Sequence, residues 1–300
     1  MTAERVIDRL VGAAPGPTLV LVGGLHGNEP AGVEAAAALC DGLRQTGQDA
    51  RLRGELVALR GNRRALALGQ RAQVRDLNRM WTDETLAHAR ASADSPEALE
   101  QVELADALDA IQARARGPLY LLDLHTTSAR GVPFLVVGTT AADRAFALAL
   151  PLPGLVGLEV VLQGILSDWM SHRGWTSVTI EGGQSGSPDA VTNLRAALTL
   201  ALDQTGVLPG VEGLEAARAH LDTARGGLPR QIVIALRHEL RRGHRFKMEP
   251  GFMNIHATTQ GTLLATDGDA QIRAPFDGFV LLPLYQADGR DGFFYGTGVR

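Results

Sequence analysis

Cysteine is nearly absent. Cys40 is the only one in 300 residues, so no internal disulfide can form, and the chain is expected to fold in a reducing compartment, the cytoplasm. Cys40 follows Ala35 to Leu39 on a predicted helix, where it reads as a buried small hydrophobe rather than a nucleophile. Lysine is equally scarce: Lys247 stands alone. The basic charge is therefore arginine, and an arginine by itself singles out nothing. A formal net charge of -4 and a pI near 6.1 leave no basic footprint for nucleic acid. No apolar run is long enough to span a bilayer, and Met1-Thr2-Ala3-Glu4-Arg5 lacks the basic-then-apolar order of a signal peptide. Internal repeats and low-complexity linkers are also missing. What is present is an ordinary globular composition, 45% hydrophobic and 21% charged, with room for a sizeable core and for a second, smaller domain.

The organising stretch is Gly23-Gly24-Leu25-His26-Gly27-Asn28-Glu29-Pro30-Ala31-Gly32, which follows the apolar run Leu19-Val20-Leu21-Val22. Such a run reads as a buried strand, the glycines as its turn, and Pro30 as the first-turn residue of an alanine-rich helix over about 30–46. His26 and Glu29 then sit at a strand's C-terminal edge, where open α/β sheets bind ligands. An imidazole and a carboxylate three residues apart in a tight turn can converge on one divalent ion, and the N/O donor set suits zinc. A third ligand must come from elsewhere.

The chain before residue 18 reads as a lead-in, and Glu55 to Arg60 as a second strand. Residues 66–96 show no clean periodicity, which predicts a long loop lining a site. Helices are expected from Pro96 to about Arg116, over 141–150, 165–172 and 188–204, and strands over 119–124, 134–137 and 175–180. The 119–124 strand delivers Asp123 and His125, and the 175–180 strand delivers Glu181. After about residue 210, a helical stretch from Leu214 to Leu221 leads to strand-like segments over 231–236, 256–265 and 279–284. Their regular Gly, Pro and Asp turns suggest a small all-β unit.

Three partial motifs lead nowhere. His238-Glu239-Leu240-Arg241-Arg242 places an arginine where a zinc-protease helix needs its second histidine. In Gly183-Gln184-Ser185-Gly186-Ser187 a serine stands where a nucleophile elbow closes on glycine. Phe246-Lys247-Met248-Glu249 is similar to a biotinyl-lysine hairpin but reads as a surface strand.

Four segments in order, Gly24 to Gly32, Asp76-Leu77-Asn78-Arg79, Asp123-Leu124-His125-Thr126 and Glu181-Gly182-Gly183, together resemble the succinylglutamate desuccinylase/aspartoacylase family, which belongs with the zinc carboxypeptidases. The resemblance covers roughly residues 18–204, and Ala274 to Phe279 is similar to the family's C-terminal domain. It implies an α/β fold with a mixed central sheet flanked by helices, spanning residues 1–210, and a smaller C-terminal all-β domain over 211–300. It implies one zinc ion held by His26, Glu29 and His125, with water fourth, and Glu181 as general base and proton shuttle. Arg64, or Arg63 one register away, matches the arginine that polarises the scissile carbonyl. Asn78 and Arg79 match the pair that grips a substrate carboxylate. Arg173, Tyr285 and Tyr295 are provisional candidates for further family positions.

The chemistry is coherent. Three protein ligands leave a metal position open, the mark of a catalytic rather than a structural site. Glu181 can take a proton from water and pass it to the leaving amine, a guanidinium at an oxyanion is worth roughly 3 kcal/mol, and Asp123 can orient a ligand histidine from behind. The expected activity is removal of an acyl group from an N-acyl amino acid or similar carboxylate-bearing amide. The alternatives are a metallocarboxypeptidase acting on peptides, or a metal-dependent binding protein without turnover. Expected partners are the small substrate and, in a homo-oligomer, copies of the chain itself.

Overall fold

Leu19, Val20, Leu21 and Val22 are all fully buried, the condition of a strand in the middle of a sheet covered on both faces. Successive side chains alternate. Leu19 and Leu21 therefore join one apolar cluster with Ala35, Leu39 and Cys40, while Val20 and Val22 join another with Leu104, Leu108 and Ile111. Each fully buried leucine of this kind contributes about 2 kcal/mol of transfer free energy.

The computed structural model describes residues 3–240, 245–285 and 291–299, the side chains of residues 159 and 160 excepted. Arg241 and Arg242, the end of the broken protease motif, lie outside the described residues. The strands are β1 (Val6–Val11), β2 (Ala14–Gly23), β3 (Arg53–Arg60), β4 (Leu119–Thr127), β5 (Phe134–Val136), β6 (Gly154–Val156), β7 (Thr176–Gln184), β8 (Gln231–Glu239), β9 (Phe246–Met248), β10 (His256–Thr258), β11 (Leu263–Asp267), β12 (Ala270–Arg273), β13 (Gly278–Leu281) and β14 (Asp291–Val299). The α-helices are α1 (Ala31–Gln45), α2 (Arg63–Leu66), α3 (Asp83–Ser92), α4 (Pro96–Arg114), α5 (Ala141–Ala149), α6 (Leu158–Val161), α7 (Leu166–His172), α8 (Pro188–Gln204) and α9 (Leu214–Arg225). Among the described residues no helix is long and apolar enough to cross a membrane.

The large sheet has 11 strands in the order β1-β3-β2-β4-β7-β5-β6-β8-β14-β13-β10, and a second sheet has three, β12-β11-β9. The strands β3, β2, β4 and β7 are mutually parallel, whereas β1 and β5 join antiparallel. The sheet is thus mixed and flanked by helices, as expected. The C-terminal strands do more than form a separate sheet: β8 pairs in parallel with β6, Leu155 opposite Ile232. The eleven-strand sheet therefore runs from the N-terminal strands into the C-terminal ones.

Several elements differ from the sequence reading: the 256–265 stretch, expected as one strand, divides into β10 and β11, which belong to different sheets, and β14 lies where no strand was expected. Residues 6–11 form strand β1 rather than a lead-in. Strands β4 and β7 each continue past the predicted end, so His125 and Glu181 lie within strands and are register partners. Within the segment expected to be a loop, α3 forms from residue 83, opened by a Thr82–Thr85 capping box. Only Leu86 and Ala89 of α3 are buried, so there was no apolar face for periodicity to detect.

The remaining stretch, residues 67–81, holds a 3-10 turn over Leu77–Arg79, and its 73–75 segment is gathered by one carboxylate. Glu97, fully buried on α4, accepts backbone N–H bonds from Gln73 (2.8 Å), Val74 (3.2 Å) and Arg75 (3.3 Å), and a bond from Asn62 Nδ2 at 3.4 Å. A charged acceptor satisfies these donors more strongly than a neutral one, and its loss leaves them unpaired. Replacing Glu97 with alanine is expected to lower unfolding free energy by about 3 kcal/mol and to open residues 69–75 to protease. Urea titration and limited proteolysis check both effects; an uncleaved, equally stable variant would remove the pin.

Candidate metal centre and active site

The turn after β2 is built for close approach. Gly24 takes a φ of +73°, a left-handed conformation that suits glycine, and the Glu29 N–H bonds back to the His26 carbonyl at 3.1 Å. Pro30 occupies the cap of α1 with φ of -72°, one residue before the helix proper. This compact turn brings His26 and Glu29 to one side. From β4, His125 arrives beside them, and the ligand atoms of His26, Glu29 and His125 all lie within 4.8 Å of one another.

The orientation of each ring follows from the carboxylates around it. His26 Nδ1 is 2.9 Å from Glu29 Oε1, and its Nε2 is 3.1 Å from Asp76 Oδ1. His125 Nδ1 is 3.1 Å from Glu29 Oε2, while its Nε2 is 2.9 Å from Asp123 Oδ1. The two Nδ1 atoms are 3.2 Å apart. Both imidazoles thus turn Nδ1 to the common centre and Nε2 to an aspartate, the arrangement in which an outer carboxylate fixes a metal-binding histidine. Glu29 Oε2 also accepts the Thr126 N–H at 3.0 Å.

Charge states follow from the same contacts. Burial lowers the pKa of His125, but Asp123 and then Glu29 outweigh it and hold it well above 6.5. Burial likewise opposes the charged form of His26, and Glu29 and Asp76 reverse the balance. Burial raises Glu29 and Asp76, yet His26 and its neighbours pull both well below the usual carboxylate range. Glu181 behaves oppositely: burial pushes its carboxyl up to about 7, against the attraction of His125 and with repulsion from Glu29. Its Oε2 is buried with no hydrogen-bond partner.

His26, Glu29, Asp76, His125 and Glu181 line one cavity of about 1460 Å3, together with Arg71, Arg75, Asn78 and Arg79, while Asp123 stands behind His125 outside the lining. Asn78 is largely committed to the protein: its Nδ2 lies 3.4 Å from Asp123 Oδ2 and its Oδ1 accepts the Leu166 N–H at 2.8 Å. Arg79 Nη1 donates to the Asn78 carbonyl at 2.7 Å.

Other expected residues fall elsewhere. Arg64 is not among the cavity-lining residues; its guanidinium pairs with Glu100 at 2.6 Å and Glu103 at 3.2 Å, and Arg63 joins the same acidic pair. The fully buried Glu100 attracts them both away. Arg71, which the sequence reading passed over, lines the cavity, with Nη1 3.4 Å from Glu29 Oε1 and Nη2 2.9 Å from Asp76 Oδ2. Its place five residues ahead of Asp76 was the available signal. Arg173 packs 4.5 Å over the Trp169 ring and pairs with Asp109. The Tyr285 hydroxyl donates to the Glu249 carbonyl at 2.7 Å, and Tyr295 bonds Thr258 and the Phe276 carbonyl. None of these three lines the cavity.

Fold and site together define a mixed α/β protein with a His-Glu-His cluster, able to hold a metal ion, at the ends of central strands. Residues 15–200 match the model of the succinylglutamate desuccinylase/aspartoacylase catalytic domain. The chain therefore belongs to this family of acyl-amino acid hydrolases. Solved structures agree on the fold. A succinylglutamate desuccinylase/aspartoacylase from Rhodobacter sphaeroides is 18% identical, with a TM-score of 0.70 over 97% of this chain and 88% of that one. The product-bound ectoine utilization protein EutE from Ruegeria pomeroyi is 20% identical, TM-score 0.66, covering 96% and 87% of the two chains. Succinylglutamate desuccinylase from Vibrio cholerae is 17% identical, TM-score 0.66, covering 96% and 83%.

Because a metal needs neutral imidazoles and His125 holds its proton to above 6.5 in the metal-free chain, metal uptake should expel protons. Its apparent affinity should fall as pH drops through that raised value. Calorimetry in buffers of different ionisation enthalpy reads the release directly. Asp123→Asn, which keeps the shape and removes the charge, should weaken zinc binding about 10- to 100-fold; unchanged affinity would mean that Asp123 does not support His125.

Proposed function

We propose that the protein is a zinc-dependent hydrolase that removes the acyl group from an N-acyl amino acid or similar small carboxylate-bearing amide. The observation that carries this reading is Glu181: a half-buried residue whose Oε2 is buried and unpaired, in register with His125 and lining the same cavity. His26, Glu29 and His125 offer two nitrogens and an oxygen, a donor set that fits zinc with one position left open. A zinc ion held there would supply Lewis acidity and hydroxide near neutral pH.

The residues of the chain account for the rest. Water adds across the amide C–N bond, its oxygen joining the acyl carbon and its protons going in the end to the amine and to solvent. Glu181 accepts the first proton as the oxygen attacks and hands it to the departing nitrogen, and a carboxyl held up at about 7 is suited to both acts. Arg71 takes the place expected of Arg64: within the cavity, its guanidinium can face the oxygen that gains charge. Arg79, braced on the Asn78 carbonyl, offers a forked cation to the substrate carboxylate.

A carboxypeptidase remains the second reading, favoured by one observation. A cavity of about 1460 Å3 exceeds the roughly 300–1,000 Å3 of usual small-molecule sites and admits a short peptide. Assaying zinc-loaded protein on N-acyl amino acids against C-terminal dipeptides separates the two.

Glu181→Gln should abolish hydrolysis of the best N-acyl amino acid while zinc content stays at wild-type level; undiminished turnover would remove the proposed base. Arg71→Gln should cost about 100-fold or more in kcat, whereas Arg64→Gln should leave kcat within a few-fold and lower thermal stability. The reverse pattern would restore Arg64 to the reaction.

A further inference from the structure

The lining of the cavity divides by element: Arg71, Arg75 and Arg79 come from residues 67–81, and an apolar group from β5, α6, β14 and the stretch after β13. The apolar wall is formed by Val136, Val161, Leu162, Leu282, Leu284 and Phe294, all but Leu284 belonging to a single apolar cluster. This wall starts next to the site: Val136 on β5 is in register with Thr179 of β7, two residues from Glu181. It continues through α6, which follows β6, to Phe294 on β14. The strands β5, β6, β8 and β14 are consecutive in the sheet, so at about 4.8 Å per strand the wall extends roughly 14 Å.

Among the described residues, the strongly charged pair beside this wall cancels itself. Arg237, on β8, donates from Nε to Asp291 Oδ1 at 2.6 Å and from Nη1 to the Val161 carbonyl at 3.3 Å. A second substrate carboxylate placed there would meet Asp291 as well as Arg237. The wall is also firmly built. Leu282 holds a left-handed φ of +49°, and its N–H donates to Oδ1 of the buried Asn254 at 2.7 Å, whose own N–H bonds the Arg130 carbonyl at 2.6 Å. A bulky residue keeps such a conformation only where its surroundings impose it. Val161, Leu162, Leu282 and Leu284 line the cavity and are each only partly buried, so part of their apolar surface is left uncovered by the core.

Resting on the hydrolase reading above, we infer that the acyl group is apolar, a medium-length aliphatic or aromatic chain laid along this wall, with the carboxylate of the amino acid at the arginines. Acetyl is too short to use the wall and succinyl carries a charge that the wall does not receive. The burial of each added methylene strengthens binding, so kcat/KM should climb with chain length.

The test is a panel of N-acetyl, N-succinyl, N-hexanoyl, N-octanoyl and N-benzoyl derivatives of alanine, leucine, aspartate and glutamate, given to zinc-loaded protein. Hexanoyl, octanoyl or benzoyl compounds should exceed both acetyl and succinyl compounds by at least tenfold in kcat/KM. Leu162→Arg and, separately, Leu284→Arg should each move the octanoyl-to-succinyl ratio at least tenfold towards succinyl. Preference for acetyl or succinyl would overturn the apolar subsite and leave the hydrolase reading standing. Turnover of no N-acyl amino acid at all would overturn the hydrolase reading and this inference with it.

Discussion

Everything at the site depends on a row of alternating charges, Asp76, His26, Glu29, His125 and Asp123, each within 3.1 Å of the next, and all but the half-buried Asp76 are taken out of water. An isolated buried carboxylate is costly, and so is an isolated buried imidazolium. Placed alternately, each offsets its neighbour's desolvation and each ring is held at both nitrogens. The same row fixes which nitrogen faces the centre. Glu181 stands just outside this compensation, which is why its carboxyl is pushed up while Glu29 is pulled down. Environment alone gives two glutamates of one cavity opposite proton affinities, and therefore opposite aptitudes: one to bind a cation, the other to carry a proton.

The supports of that row come from distant parts of the chain. The β2 turn contributes His26 and Glu29, β4 contributes Asp123 and His125, and the loop after α2 contributes Asp76. The parallel register of β2 with β4, Val22 opposite Asp123, sets the first two side by side. The 73–75 segment ahead of Asp76 is gathered by Glu97, a residue outside the cavity lining. Such a division, with rigid strands carrying some groups and a pinned loop the others, is how a sheet edge becomes a site.

The sequence was most legible where local pattern and global role coincide. Leu19 to Val22 is apolar on both faces because it is central, so its strand could be read directly. The convergence of His26, Glu29 and His125 was legible through ordered motifs rather than through periodicity. Strand β1 was not, since its exposed and half-buried residues leave only Leu10 buried. Helix α3 gave a cap but no apolar stripe. Arg64 and Arg71 look alike in sequence, and what separates them is tertiary: Glu100, 36 residues from Arg64, captures one, and Asp76 holds the other at the cavity. In a chain whose cations are nearly all arginine, only the location of the acidic partners separates a guanidinium at the cavity from one turned away from it.

The ladder between β6 and β8 bears on motion. Among the described residues, the floor that carries Glu181 and the far wall that carries Phe294 belong to one sheet, joined strand to strand from β7 to β14. Spreading the two apart would cost ladder hydrogen bonds, so the sheet itself resists a change in the breadth of the chamber.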